Sequence, residues 1–218
     1  MTRALTVLIV FALGLQAWAY TPESKVTRGI YVHYRDLVPF KPWGNWGTGY
    51  ELVQEAPHSG QWCLKAVGTE GTEGQGASQT VPINQERPAP LKIAGWSRAE
   101  GVQATGTSYR YSLYVDLIYA DGESWPAKVA PFRPGSHDWE YSEIVIEPAK
   151  PVASARFYVF IRGLAGTVWF DDLFFGPPDG ANLLQEPGFE RMAQPDTSRR
   201  DRILDTYQVL HANAIHTY

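Results

Sequence analysis

The chain has 218 residues and a formal charge of −4. That length supplies one ordinary domain and a short remainder, and the acidic balance lacks the basic footprint that nucleic acid requires. A single cysteine excludes an intramolecular disulfide, so packing or a metal has to stabilise the fold.

Residues 1–20 read MTRALTVLIVFALGLQAWAY: basic Arg3, an apolar run from Ala4 to Leu15, then Ala17, Trp18 and Ala19 in an A-x-A pattern. The run is too short to cross a bilayer comfortably, and its flanks are those of a secretory signal. The pattern predicts a signal peptide over 1–19, a mature chain from Tyr20, a secreted or extracytoplasmic location, and no membrane association after cleavage.

The next segments are rich in glycine and tryptophan. In WGNWGTG, residues 43–49, Trp43 and Trp46 sit beside glycines. Rings on such a loop either cap a sugar site or plug the end of a sandwich, and both readings stay open. Cys63, in QWCLKAVG, alternates with Lys65 and Val67 and reads as a small buried strand residue, since no catalytic-thiol signature surrounds it. GTEGTEGQG, residues 68–76, is a loop: its glutamates would repel phosphate, and no lysine follows.

Aromatics make up 13% of the chain, and its 20 glycines and 16 prolines cluster between short β-rich runs. About eight such runs precede residue 180, with no helical period between them, which predicts an all-β, two-sheet antiparallel β-sandwich of jelly-roll type. Side chains alternate along a strand. In LKIAGWSRA, Leu91 and Ile93 oppose Lys92, Trp96 and Arg98. In YRYSLYVDLIY, Tyr111, Leu113, Val115 and Leu117 oppose Arg110, Tyr114 and Asp116. In ARFYVFIRG, Ala155, Phe157, Val159 and Ile161 oppose Arg156, Tyr158, Phe160 and Arg162. These strands are expected to share one aliphatic face and one mixed face carrying Trp96, Tyr114, Asp116, Arg156, Tyr158 and Arg162. A half-exposed sheet carries such residues anyway. The sharper reading is sugar recognition, with flat rings against pyranose C–H faces and polar groups for the hydroxyls.

GTVWFDDLFFGPP, residues 166–178, places Asp171 next to Asp172 inside an apolar strand. Neighbours on a strand leave on opposite faces, so these two are not the facing acid and base of a glycosidase. The five histidines are scattered without H-E-x-x-H or a Cys–His set, which leaves a zinc site without support.

The order of these motifs from Trp43 to Pro177 resembles the jelly-roll carbohydrate-binding modules of families four, nine and twenty-two. The resemblance implies noncatalytic binding of a polysaccharide or oligosaccharide by a monomeric module, N-terminal to the catalytic domain of a secreted carbohydrate-active enzyme. It also implies a structural calcium (Ca2+) at the sandwich edge with Asp172 as a ligand. The usual second ligand, a glutamate in an N-terminal GFE, has no counterpart in YVHYRDLVPF, where Asp36 stands instead; the other reading of Asp172 is a carboxylate bonded to loop amides. Two alternatives to the module remain. One is a jelly-roll enzyme, a lyase or hydrolase, in which Arg110, Tyr114, Arg156 and Tyr158 surround a uronate. The other is an adhesive surface sandwich.

The expected organisation is a signal peptide over 1–19, the sandwich over 20–176, a linker over 177–182 and a tail over 183–218. NLLQEPGFE, residues 182–190, resembles the opening strand of another such module. Ile203, Leu204, Tyr207, Leu210 and His211 then follow at helical spacing and lead into NAIHTY. That arrangement looks like the first helix and strand of a glycoside hydrolase barrel, cut short.

Overall fold

Alternating apolar and polar residues fold into ten strands in the computed structural model, which describes residues 41–71, 73–103 and 108–193, all within the unit Pro39–Tyr218. The strands are β1 (Gly44–Gly47), β2 (Glu51–Val53), β3 (Cys63–Gly68), β4 (Gln75–Pro82), β5 (Leu91–Val102), β6 (Tyr111–Tyr119), β7 (Ser124–Pro131), β8 (Gly135–Ile146), β9 (Val152–Ile161) and β10 (Gly166–Gly176). A short helix, α1 (Glu190–Ala193), follows. The signal sequence, Asp36 and the helix expected after residue 200 lie outside the described residues. Among the described residues, no helix is long and apolar enough to cross a membrane.

The strands form two five-stranded antiparallel sheets, ordered β1-β4-β9-β6-β7 and β2-β3-β10-β5-β8. The all-β jelly-roll sandwich expected from the sequence is the fold. Two edge strands were not legible as strands: β1 is half glycine, and β7 contains Pro126 and Pro131. Proline is tolerated at an edge because one side of the strand has no partner to receive its missing N–H.

The inner faces meet in one core. Leu113, Val115, Leu117, Phe157, Val159 and Ile161 of the first sheet pack with Leu64, Ile93, Val168, Phe170 and Phe175 of the second. Full burial of each large side chain contributes about 1.5–3 kcal/mol. The core accounts for one parity of each strand, and the other parity is turned outward on both sides of the sandwich.

Strand β10 keeps its parity only by breaking its register. Val168 and Phe170 point inward, and so do Leu173 and Phe175, an odd step apart. The pairing with β5 shifts between Asp171 and Phe174, and Asp172 takes φ 46°. This β-bulge inserts one residue. Without it Asp172 would enter the core and Leu173 would leave it.

The segment after β10 corrects the expected boundary, because residues 183–192 pack on the sandwich. Phe189 is fully buried, and Leu184 is nearly so. The Trp43 indole N–H donates to the Gln185 and Glu186 carbonyls (2.9 and 3.1 Å), and its ring meets Phe189 at 5.5 Å and Phe157 at 6.0 Å. Gln185 and Gln79 bond reciprocally, backbone amide to side-chain oxygen (2.8 Å) and side-chain amide to backbone carbonyl (2.9 Å). Asn182 accepts from the Phe175 and Leu184 amides and donates to the Leu173 carbonyl. The apolar residues of NLLQEPGFE need a surface to cover them, and the end of this sandwich supplies it.

Replacing Phe189 with alanine should therefore destabilise the fold by about 3–5 kcal/mol. Urea unfolding of the variant measures this, and a change well under 1 kcal/mol would mean that the segment is not part of the packed unit.

Candidate functional site

A sandwich has two outer faces, and the residues expected to share one of them are divided between the two. Trp96 lies on β5, which pairs with β10 and β8 in the second sheet. Tyr114, Asp116, Arg156, Tyr158 and Arg162 lie on or at the end of β6 and β9 in the first. Parity within each strand follows the sequence reading, but the single mixed face does not. Alternation specifies inward or outward along a strand and is silent on which sheet the strand joins.

The connection between β2 and β3 packs over part of the outer face of the second sheet, where Val67, Tyr141 and Val145 stay exposed. The Glu55 carboxylate accepts from Lys65 Nζ (2.8 and 3.0 Å) and from the Trp169 indole (3.3 Å), and the Glu55 carbonyl accepts from Arg98 (3.1 Å). The Ala56 carbonyl accepts from the Trp139 indole (3.1 Å). Further along, the His58 ring stacks on Trp96 at 4.0 Å and 19°. Beneath this loop Trp169, Asp171 and Cys63 are buried although they point away from the core. Burial pushes the Cys63 thiol up to about 12, which leaves it protonated and unreactive.

Asp171 and Asp172 anchor that loop. Asp171 Oδ2 accepts from the His58 and Ser59 amides (3.0 and 3.2 Å), and its Oδ1 accepts from the Asp172 amide (2.8 Å). Asp172 Oδ2 lies 2.6 Å from His58 Nδ1, and its Oδ1 accepts from Ser59 Oγ (2.8 Å). The bulge turns two carboxylates expected on opposite faces toward one loop. Burial raises the Asp171 carboxyl to about 6, and the amide donors act against that shift. A third carboxylate continues the clasp: Glu190 accepts from the Gln61 and Trp62 amides (2.8 and 3.0 Å).

Calcium takes six to eight oxygen ligands. Here both Asp172 oxygens already accept hydrogen bonds from this chain, and among the described residues no group of three or more His, Cys, Asp and Glu is placed to hold a metal ion. The donors around Asp172 are those of a hydrogen-bonded anchor, and as arranged they do not fit calcium.

The two tryptophans of WGNWGTG also divide. Trp43 is buried and plugs the end of the sandwich, so it does not line a surface site. Trp46 lies on β1 and belongs to the outer face of the first sheet. On that face Trp46, Tyr114 and Tyr158 are half-buried, and Ser112 Oγ donates to the Tyr109 carbonyl (3.2 Å) at its rim.

Its registers lay out a grid. One row runs Trp46, Gly76, Phe160, Ser112 and Pro131; the next runs Gly44, Ser78, Tyr158, Tyr114 and Val129; a third holds Thr80, Arg156 and Asp116. Small residues flank the rings, so the rings stand above their neighbours. Trp46 stacks on Phe160 at 4.5 Å and 26°, and Tyr158 meets Tyr114 edge-on at 5.7 Å. Phe160 is nearly buried beneath Trp46 and supports it. Gly74 (φ 133°) makes this possible: a methyl group there would sit 2.1 Å from the Trp46 ring. Sequence parity places Phe160 on this face, but its role under Trp46 comes from β1, which the glycine-rich sequence does not mark as a strand.

Charges frame the rings. The Arg156 guanidinium lies 5.3 Å from the Tyr158 ring, and that of Arg162 lies 5.8 Å from Trp46, within cation–π reach. At the Arg162 end is a cleft of about 380 Å³ lined by Gly71, Tyr109, Arg110, Arg162 and Gly163. Asp116 Oδ1 accepts from the Ala127 amide (3.1 Å). The Tyr114 phenol is raised by burial and then by Asp116. The Tyr158 phenol is also raised by burial, against an opposing pull from Arg156. Both are thus hydrogen-bond donors at neutral pH and poor bases.

No protein-family model matches the chain, and no curated protein matches its sequence. Several solved structures similar to it are carbohydrate-binding modules. A family 16 module is 16% identical over 62% of this chain and 89% of its own, with a TM-score of 0.46. The CBM22-1 xylan-binding domain of Paenibacillus barcinonensis Xyn10C is 15% identical over 64% of this chain and 87% of its own, at 0.45. The enzymatically active domain of bacteriophage CBA120 tailspike protein 4 is also similar, 12% identical at 0.47, with only 19% of that chain covered. Likenesses this distant assign no function.

Two outcomes follow from the geometry. Tyr114→Ala and Tyr158→Ala should each weaken glycan binding by about 1 kcal/mol, about fivefold in Kd, while Trp96→Ala leaves it unchanged. Titration calorimetry separates them, and a loss confined to Trp96→Ala would move the site to the second sheet. For Asp172, a chelator should leave the wild-type melting temperature unchanged, and Asp172→Ala should cost about 1–2 kcal/mol with or without added calcium. A chelator-sensitive melting temperature that the variant lacks would assign calcium to Asp172.

Proposed function

We propose that the outer face of the first sheet binds a glycan without cleaving it, and that the chain is the N-terminal module of a secreted carbohydrate-active enzyme. The observation that carries this reading is the ridge of Trp46, Tyr158 and Tyr114, half-buried and mutually supported, on the outer face of the first sheet. Exposed rings of this kind present flat apolar surface, and Asp116, Arg156, Arg162 and Ser78 beside them offer donors and acceptors for hydroxyls.

The noncatalytic part of the proposal has chemical support. A glycosidase needs two carboxylates flanking one bond, and of the paired residues on this face only Asp116 is acidic. A lyase-type tyrosine base would need a lowered phenol, whereas Tyr114 and Tyr158 are both raised. Export is supported by the three-part signal pattern over 1–19, and a monomeric module needs no second copy to complete the ridge.

Affinity electrophoresis of the mature chain in gels containing soluble polysaccharides tests the reading, with a reducing-sugar and unsaturated-product assay on the same polymers. Retardation by at least one polymer without product release is the expected result. Product release abolished by Tyr114→Phe or Tyr158→Phe would replace the binding module with an enzyme.

A further inference from the structure

The cations on this molecule are unevenly paired. Lys65 is bonded to Glu55, Arg133 to Glu140, Lys150 to Asp121 and Glu123, and Arg191 to Glu186. Among the described residues Lys41, Arg87, Lys92, Arg98, Arg110, Lys128, Arg156 and Arg162 form no ion pair, although the chain as a whole carries net negative charge. Of these, Arg110, Arg156 and Arg162 belong to the outer face of the first sheet or its rim. Arg156 sits opposite Asp116 in register without bridging to it and donates instead to Ser78 Oγ (3.3 Å). Arg110 and Arg162 are joined through the backbone, the Arg162 amide donating to the Arg110 carbonyl (2.7 Å), and both line the cleft beside Trp46. Nearby Glu70 is bonded to Gln103.

The spacing of these arginines matches the ridge. Arg156 and Arg162 lie six residues apart, and by strand rise that is about 20 Å with both side chains on one face. Tyr158 and Phe160 lie between them on the same parity, with Trp46 over Phe160. Rings fill the middle of the track, and guanidinium groups stand at both ends. A guanidinium matches a carboxylate with two parallel N–H donors, a preference lysine does not share. A neutral glycan would leave the exposed Arg156 and Arg162 and the half-buried Arg110 without a complementary charge.

We propose that the ligand of this face is an acidic polysaccharide whose uronate carboxylates pair with Arg156 at one end of the ridge and with Arg162 and Arg110 at the other. The proposal rests on the glycan-binding reading above and specifies its substrate class. Sulfate esters carry the same charge and are the second source that the experiment has to separate.

The test measures binding of the mature chain to polygalacturonate and glucuronoxylan, to the same polymers after carboxyl reduction, to a sulfated galactan and to neutral xylan. The uronate polymers should bind about tenfold more tightly than their carboxyl-reduced forms, a difference of about 1.4 kcal/mol, and this margin should shrink as salt is raised. Arg156→Gln combined with Arg162→Gln should remove the margin, so that the native and carboxyl-reduced polymers bind this variant equally, with the melting temperature unchanged because both side chains are exposed. Equal binding of native and carboxyl-reduced polymers would overturn the acidic ligand and leave the glycan site standing. Preference for the sulfated galactan over both uronates would overturn the carboxylate assignment. Failure to bind any of these polymers, charged or neutral, would overturn the glycan-binding reading and this inference with it.

Discussion

The grip of Asp171 and Asp172 on His58 and Ser59 fixes the loop that packs on the outer face of the second sheet. Both carboxylates reach the same two residues because β10 bulges at Asp172. The bulge has a packing cause. In FDDLFF a strict alternation would send Asp172 inward behind Phe170 and turn Leu173 and Phe175 out. Burying an unpaired carboxylate in an apolar core costs more than one irregular pair of ladder bonds. The inserted residue restores Leu173 and Phe175 to the core and frees Asp172 for the loop. The loop then packs over Trp169 and Cys63, which are buried beneath it, while Trp96 and Trp139 stay half-buried and Tyr141 exposed on the same face.

A similar economy closes the end of the sandwich. Trp43 precedes the first strand, and Phe189 follows the last, 146 positions later, yet the two rings are in contact. The indole N–H finds carbonyls of residues 185 and 186, so a buried donor is satisfied by the segment whose apolar side chains it packs against. Glu190 then reaches back to the amides of Gln61 and Trp62. The loop that packs on the second sheet is thus held from β10 and from the C-terminal segment together.

The outer face of the first sheet is rigid. Trp46 rests on Phe160, Phe160 touches Tyr114, and Tyr114 meets Tyr158 edge-on. Rings held by one another lose little freedom when a ligand arrives, which favours affinity. The arginines at either end are long and exposed, so they add charge and reach to a platform whose shape is already set.

Much of this was legible in the residues themselves. The strand runs, the inward and outward parity of β5, β6 and β9, and the outward placement of Tyr114, Asp116, Arg156, Tyr158 and Arg162 all follow from a period of two, a property of a strand alone. The break in that period at FDDLFF also marks the bulge, once Val168 and Phe170 are set against Leu173 and Phe175. The partners were not legible. Trp96 has the same outward parity as Tyr158, yet β5 hydrogen-bonds to β10 while β9 hydrogen-bonds to β6. Trp43 and Trp46 share one glycine-rich stretch, yet one ring enters the core and the other joins the surface ridge. Pairing between strands is set by contacts between residues far apart in the chain, and only the folded arrangement assigns each outward residue to one of two faces that local sequence does not distinguish.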